Sequence, residues 1–184
     1  MKILGEVRIT PTGCICNDSV LPTTQQGDAL LKELYRHQQT EYPKFYKMDK
    51  MCRLGFIASE VLLNNVEESR FTTREDRAVV LVSHNGCRST DLHYQQTIAE
   101  GENYFPSPAI FVYTLPNIVT GEIAIRNKYL SETTMYIMSH EDPDKIMALV
   151  EDAFSDPDTT SAVAGWLDYT DENNYIAHLK LIEK

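Results

Sequence analysis

The segment "SHNGCRSTDLHY" (83–94) is the one local group that joins a nucleophile type to base types, with Cys87 between His84 and His93. A cysteine thiolate attacks acyl carbonyls well. It needs a histidine in contact and a third group to orient that histidine. Asn85-Gly86 marks a turn, so the simpler reading is a loop after a strand. Ser139-His140-Glu141 sets a hydroxyl, an imidazole and a carboxylate side by side in sequence. Sequence neighbours point different ways, and triads are assembled from separate elements. No G-x-S-x-G elbow is present either. Asp142, Asp144, Asp152, Asp156 and Asp158 lack the glycine and closing glutamate of a calcium loop, so they read as solvated acids, with Asp142 as a helix cap. Cys14 and Cys16 form a lone C-x-C with no second pair for tetrahedral zinc. Cys52 lies in a helical pattern. All four cysteines read as free thiols of a reducing compartment. No metal ion or cofactor is expected.

These residues sit in a chain of 184 with a formal net charge of −10. That size allows a substantial core. The acidity argues against nucleic acid, whose binding needs phosphate-neutralising Lys and Arg. No apolar run is long enough for a membrane span, and Glu6 and Arg8 interrupt any leader-like core, so a cytoplasmic protein is expected.

The elements that must position the candidates follow from periodicity. "KILGEVRIT" (2–10) alternates as a strand, and "TPTGCICNDSVLPTT" (10–24) reads as loop. A short helix is expected within 25–40, with Leu30, Leu31, Leu34 and Tyr35 on one face. The clearest helix is 47–65, where Met51, Leu54, Ile57, Ala58, Val61 and Leu62 recur at helical spacing. "RAVVLVSH" (77–84) reads as a strand buried on both faces, as in parallel sheets. In 108–130 the second half is helical from near Pro116, with Ile118, Gly121, Ile125 and Tyr129 along one side. "TTMYIM" (133–138) reads as a strand. Residues 142–154 form an amphipathic helix with a stripe of Ile146, Leu149, Val150 and Ala153. Strands 160–169 and 175–183 close the chain as a hairpin. Trp166, Phe111, Tyr113 and Tyr136 read as core. This alternation implies a mainly parallel sheet covered by helices in a single domain, 1–184.

The same order resembles one half of the thiolase fold. "FYKMDKMCRLGFIASEVLL" (45–63) resembles the β-ketoacyl synthase segment in which a basic-Met-Asp motif opens a helix. "AVVLVSHNGCRSTDLHY" (78–94) resembles its next strand and glycine-containing loop. "FPSPAIFVYTLPNIVTGEIAIRNKYL" (105–130) is similar to the segment that leads to the nucleophilic cysteine, and "AVAGWLDY" (162–169) to the strand after it. The resemblance implies a five-stranded mixed sheet of order 3-2-1-4-5 with strand 5 antiparallel. It also puts the nucleophile near Ser139 or His140, where no cysteine stands. It covers only the N-terminal half of a ketosynthase, without the histidines of the other half. A complete condensing enzyme is therefore not expected.

Three functions follow. The first is a non-catalytic accessory or scaffold protein of fatty-acid, polyketide or polyene synthesis, similar to chain-length-factor subunits. In that family the strand matching Thr133, Thr134, Met135, Tyr136, Ile137 and Met138 pairs with its two-fold mate. The resemblance thus implies a homodimer, or a heterodimer with a full ketosynthase, and proline at Tyr136 should break the pairing. The second is a small acyltransferase or thioesterase using Ser139, His140 or Cys87. The third is a binding module for an acyl carrier protein. Two acidic proteins repel, but Lys44, Lys47, Lys50 and Arg53 could form a local basic patch.

Overall fold

The computed structural model describes residues 1–38, 41–66, 70–99, 101 and 105–184. Seven strands form one mixed sheet: β1 (Lys2–Thr10), β2 (Gly13–Cys16), β3 (Ser19–Leu21), β4 (Arg77–Ser83), β5 (Thr133–Ile137), β6 (Ser161–Asp171) and β7 (Asn174–Glu183). Their spatial order is β3-β2-β1-β7-β6-β4-β5. β4 runs parallel to both β5 and β6, while β6–β7, β7–β1, β1–β2 and β2–β3 are antiparallel.

This corrects the expected order 3-2-1-4-5, its strand count and the expectation of a mainly parallel sheet, since four of the six pairings are antiparallel. The N-terminal strand is not central. The β6–β7 hairpin sets its second arm beside β6, and β1 pairs with the outer side of that arm from Lys2↔Glu183 to Ile9↔Ala177. The antiparallel last strand was expected and is β7. The two extra strands come from the stretch read as loop. Asn17 and Asp18 both take positive φ, 47° and 63°. That is the geometry of a tight hairpin turn whose twist matches the strands, so Cys14–Cys16 folds back on Ser19–Leu21.

The described residues also form six helices: α1 (Gly27–His37), α2 (Lys50–Val66), α3 (Arg88–Thr97), α4 (Pro108–Val112), α5 (Ile118–Asn127) and α6 (Pro143–Ala153). A 3-10 turn at Pro43–Lys47 precedes α2. Residues 39 and 40 of the expected 25–40 helix lie outside the described residues.

α2 is the central cover. Asp49 opens it by accepting from Cys52 N at 2.8 Å. Twelve of its residues are buried, because it is packed by the sheet below and by α1 and α5 beside it. Val7, Ile9, Val79, Leu81, Val163, Leu167 and Leu179 meet it from the sheet. α6 covers the opposite face. Its cap is as expected: Asp142 accepts from Lys145 N, and Pro143 fills the first turn. Ile146, Val150 and Ala153 are buried against Ala78, Val80, Ala162, Ala164 and Trp166, while Leu149 is half-buried.

Three expectations needed correction. The loop "GCRSTDLHY" contains α3, which buries only Thr90. The 108–130 segment forms two helices, with Pro116 between them rather than opening one. Phe111 is not core. It is half exposed on α4, a helix of apolar residues that buries none of them.

Candidate functional site

The carboxyl ends of the parallel strands β4, β5 and β6 lie together, the usual place for chemistry in such sheets. Asp168, at the end of β6, organises this corner. It accepts from Ser83 Oγ at 2.7 Å, His84 N at 3.0 Å, Asn85 N at 2.8 Å and Asn85 Nδ2 at 2.8 Å. Ser83 Oγ in turn accepts from Gly86 N at 2.9 Å. The turn at 84–86 is thus fixed by one carboxylate. The sequence reading missed it, although an acid closing the apolar run "AVAGWLDY" was a visible signal.

The structure separates the Cys87/His group. The His84 ring reaches Met138 O across 3.1 Å, and since a carbonyl only accepts, Nδ1 carries the proton. Cys87 turns inward, where its thiol donates to Thr114 O and lies 3.6 Å from an Asp91 oxygen. Burial, and then the Asp91 charge, push this thiol up to about 12. A thiol held so far from ionisation is a poor nucleophile. His93 lies on α3 and lines a different cleft.

Ser139 and His140 do touch. Contrary to the expectation for neighbours, the Ser139 hydroxyl lies 2.9 Å from His140 Nδ1. Both are exposed. Asp142 is engaged by Lys145, through its backbone N at 3.2 Å and its Nζ at 3.1 Å. Glu141 accepts from His178 Nδ1 at 2.7 Å. Neither acid hydrogen-bonds His140, so the pair lacks the orienting group of a triad. Ser139 borders a groove of about 420 Å³ with Tyr136, Met138, Lys145 and Leu149, and His140 does not line it.

The basic residues surround a cleft of about 440 Å³ between the start of α2 and helices α3 and α4. Lys47, Lys50 and Arg53 form one side, and His93, Ala109, Ile110 and Tyr113 the other. Lys50 is paired with Asp28, and Arg53 donates to the carbonyls of Phe45 and Tyr46. Lys44 leaves the group for buried Glu122, 2.6 Å away. That hydrogen bond raises the Lys44 pKa.

The third feature is β5. Among the described residues its only strand neighbour is β4, so one side is an open edge. Ile125, Leu130 and Ile137 around it are 65%, 67% and 58% exposed. Phe111, Val112 and Leu115 are exposed as well. The side of α5 carrying Gly121 and Ile125 belongs to this outer surface, while Val119, Ile123 and Ala124 face the core.

No family model and no curated protein matches the sequence. Solved structures do. "The ishigamide ketosynthase/chain length factor" aligns over 99% of this chain with a TM-score of 0.67 and 15% identity. A ketosynthase (ApeO) in complex with its chain length factor (ApeC) from Xenorhabdus doucetiae aligns over 100% of it, with a TM-score of 0.62 and 14% identity. AntDE:AntF, a type II PKS acyl-carrier protein in complex with its ketosynthase bound to the hexaketide, aligns over 90%, with a TM-score of 0.55 and 10% identity. The chain spans 61%, 78% and 44% of those three chains. At such identities the likeness is one of architecture: this chain has a fold similar to that of these ketosynthase and chain-length-factor structures.

Proposed function

We propose that this protein is a non-catalytic, ketosynthase-like accessory or scaffold subunit, acting as one domain in the cytoplasm in fatty-acid, polyketide or polyene synthesis. The observation that carries this reading is the open β5 edge set in exposed apolar surface. An unpaired strand edge beside exposed apolar side chains is an aggregation hazard unless a partner covers it. The partner is a chain of the same fold, either a second copy or a full ketosynthase. Catalysis is disfavoured because the nucleophile position holds Ser139 and His140 without an orienting acid, and because Cys87 is turned inward. The Lys47, Lys50 and Arg53 side of the cleft is the docking place for an acyl carrier protein, offering local positive charge on a chain of net −10.

The test is affinity purification of the tagged protein from native extract, with mass spectrometry, beside a Met135→Pro variant. The wild type recovers a ketosynthase-fold chain, untagged copies of itself included, and the variant does not. If the wild type recovers no such chain, the reading fails.

The 2.9 Å contact between Ser139 and His140 favours a second reading, an acyl-thioester hydrolase or acyltransferase. Hydrolysis of a short acyl thioester that Ser139→Ala and His140→Ala abolish, and Cys87→Ala leaves intact, would replace the first reading with this one.

A further inference from the structure

We propose that the cleft of about 440 Å³ beside the start of α2 binds a small amphipathic monocarboxylate, one carboxylate on an unbranched apolar chain, with Lys47 and Arg53 holding the head group. The inference shares this cleft with carrier-protein docking in the accessory-subunit reading but does not rest on it. The volume is that of a small-molecule site. Arg53 is braced for the task. Its Nε and Nη2 donate to the Phe45 and Tyr46 carbonyls at 3.2 and 2.6 Å, which fixes the guanidinium plane. Among the described residues no carboxylate pairs with Arg53 or with exposed Lys47. A chain with 27 acidic against 17 basic residues has acids to spare, so two such cations on one wall are a local exception. Asp49 also lines the cleft, but both its oxygens are engaged: one accepts from Cys52 N at 2.8 Å, the other from Thr90 Oγ1 at 2.6 Å. Asp28 pairs with Lys50. Three cations set against these two acids leave one positive charge. That matches a carboxylate, with its single negative charge, better than a phosphate monoester, which carries nearly two.

The facing wall supplies the apolar half. Ala109 and Ile110 belong to α4, which buries none of its residues, and Tyr113 follows at its end. Met48, just before α2, adds a buried apolar side chain to the lining. An apolar chain laid against these residues removes from water surface that the fold leaves wet. The wall is also adaptable. α3 buries only Thr90 and leans on α4 through Tyr94 and Phe111, whose ring centroids are 5.6 Å apart. Elements with so few buried contacts adjust at small cost, so the cleft suits chains of graded length.

Isothermal titration calorimetry on the intact purified chain tests this with hexanoate, octanoate and decanoate, and with octanol and octyl phosphate beside them. Saturable binding is expected, tightening up to about fourfold with each added methylene. Lys47→Gln should weaken octanoate about threefold and leave the weaker binding of octanol unchanged. Ala109→Trp, at an exposed position, should fill the cleft and abolish binding of all three acids, with an unchanged circular dichroism spectrum. Octanoate that does not saturate at millimolar concentration, octyl phosphate that binds more tightly than octanoate, or an affinity indifferent to Lys47→Gln or to Ala109→Trp overturns the proposal. No arm involves a partner chain, so failure here leaves the accessory-subunit reading standing, and a failed affinity purification leaves the binding result standing.

Discussion

Cys87 and Asp168 carry opposite lessons about single residues. Cys87 looked chemical in the sequence, with histidines three residues before and six after it. Three-dimensional placement turned its thiol to the Thr114 carbonyl and Asp91. With its ionisation pushed up to about 12, it should alkylate with iodoacetamide at pH 8 about a thousandfold more slowly than free cysteine, and at the free rate once unfolded. Mass spectrometry of timed samples reads this directly. Asp168 looked like a strand-end acid and proves to hold the 84–86 turn. Its removal leaves Ser83 Oγ, buried, and two backbone N–H groups without their acceptor. Asp168→Ala should cost about 2–3 kcal/mol in urea unfolding. Sequence types propose such roles, but burial and the nearest acceptor assign them.

The helices with the strongest periodicity were legible as elements. The 47–65 pattern became α2, and the 142–154 stripe with its Asp142 cap became α6. Local rules sufficed there because a cap and an apolar stripe are properties of a few adjacent residues. α3 and the β2–β3 ribbon were not legible, since neither has a strong stripe, and one depends on the Asn17-Asp18 turn. Gly165 in β6 was silent in the sequence and is constrained in the sheet. Its φ is +152°, and a Cβ would lie 2.0 Å from His178 O on β7. Gly165→Ala should therefore destabilise by about 3 kcal/mol or more, measured by urea unfolding. The β5 edge teaches the same point. The sequence pointed to Tyr136 for a proline test, but alternation turns the Tyr136 N–H toward β4. Proline there would break the sheet, whereas proline at Met135 touches only the open side.

At the scale of the molecule, the sheet is clothed unequally. α6 covers β4 and β6, while beyond it the same face carries Glu6, Arg8, His178 and Lys180. Lys180 lies 3.4 Å from Glu6, and His178 lies 2.7 Å from Glu141. Polar pairs on that face fit a chain that folds without a second sheet layered on it. The isolated chain should melt in one cooperative transition, and a molten chain would contradict this. Acid should weaken it in part through Asp76. The forked hydrogen bonds from Arg74 at 2.9 and 2.8 Å, with the Thr160 hydroxyl, hold this carboxyl well below the usual range. A depressed folded pKa stabilises above the unfolded value of about 3.9, and that share is lost as pH falls below it. Asp76→Asn should lower Tm by about 2 °C at pH 7, with the gap closing below about pH 4.

The sequence by itself determined the class: helices and strands alternating around a parallel β6–β4–β5 part, and a closing hairpin. These follow from periodicity, turn residues and residue type, which are local. Tertiary structure decided the rest. Strand order depends on which edge β1 joins, and a β-strand's alternation is the same on either edge. Whether Cys87 reacts, whether Ser139 meets His140, and which side of α5 lies outward depend on residues far apart in the chain. Only packing brings those together.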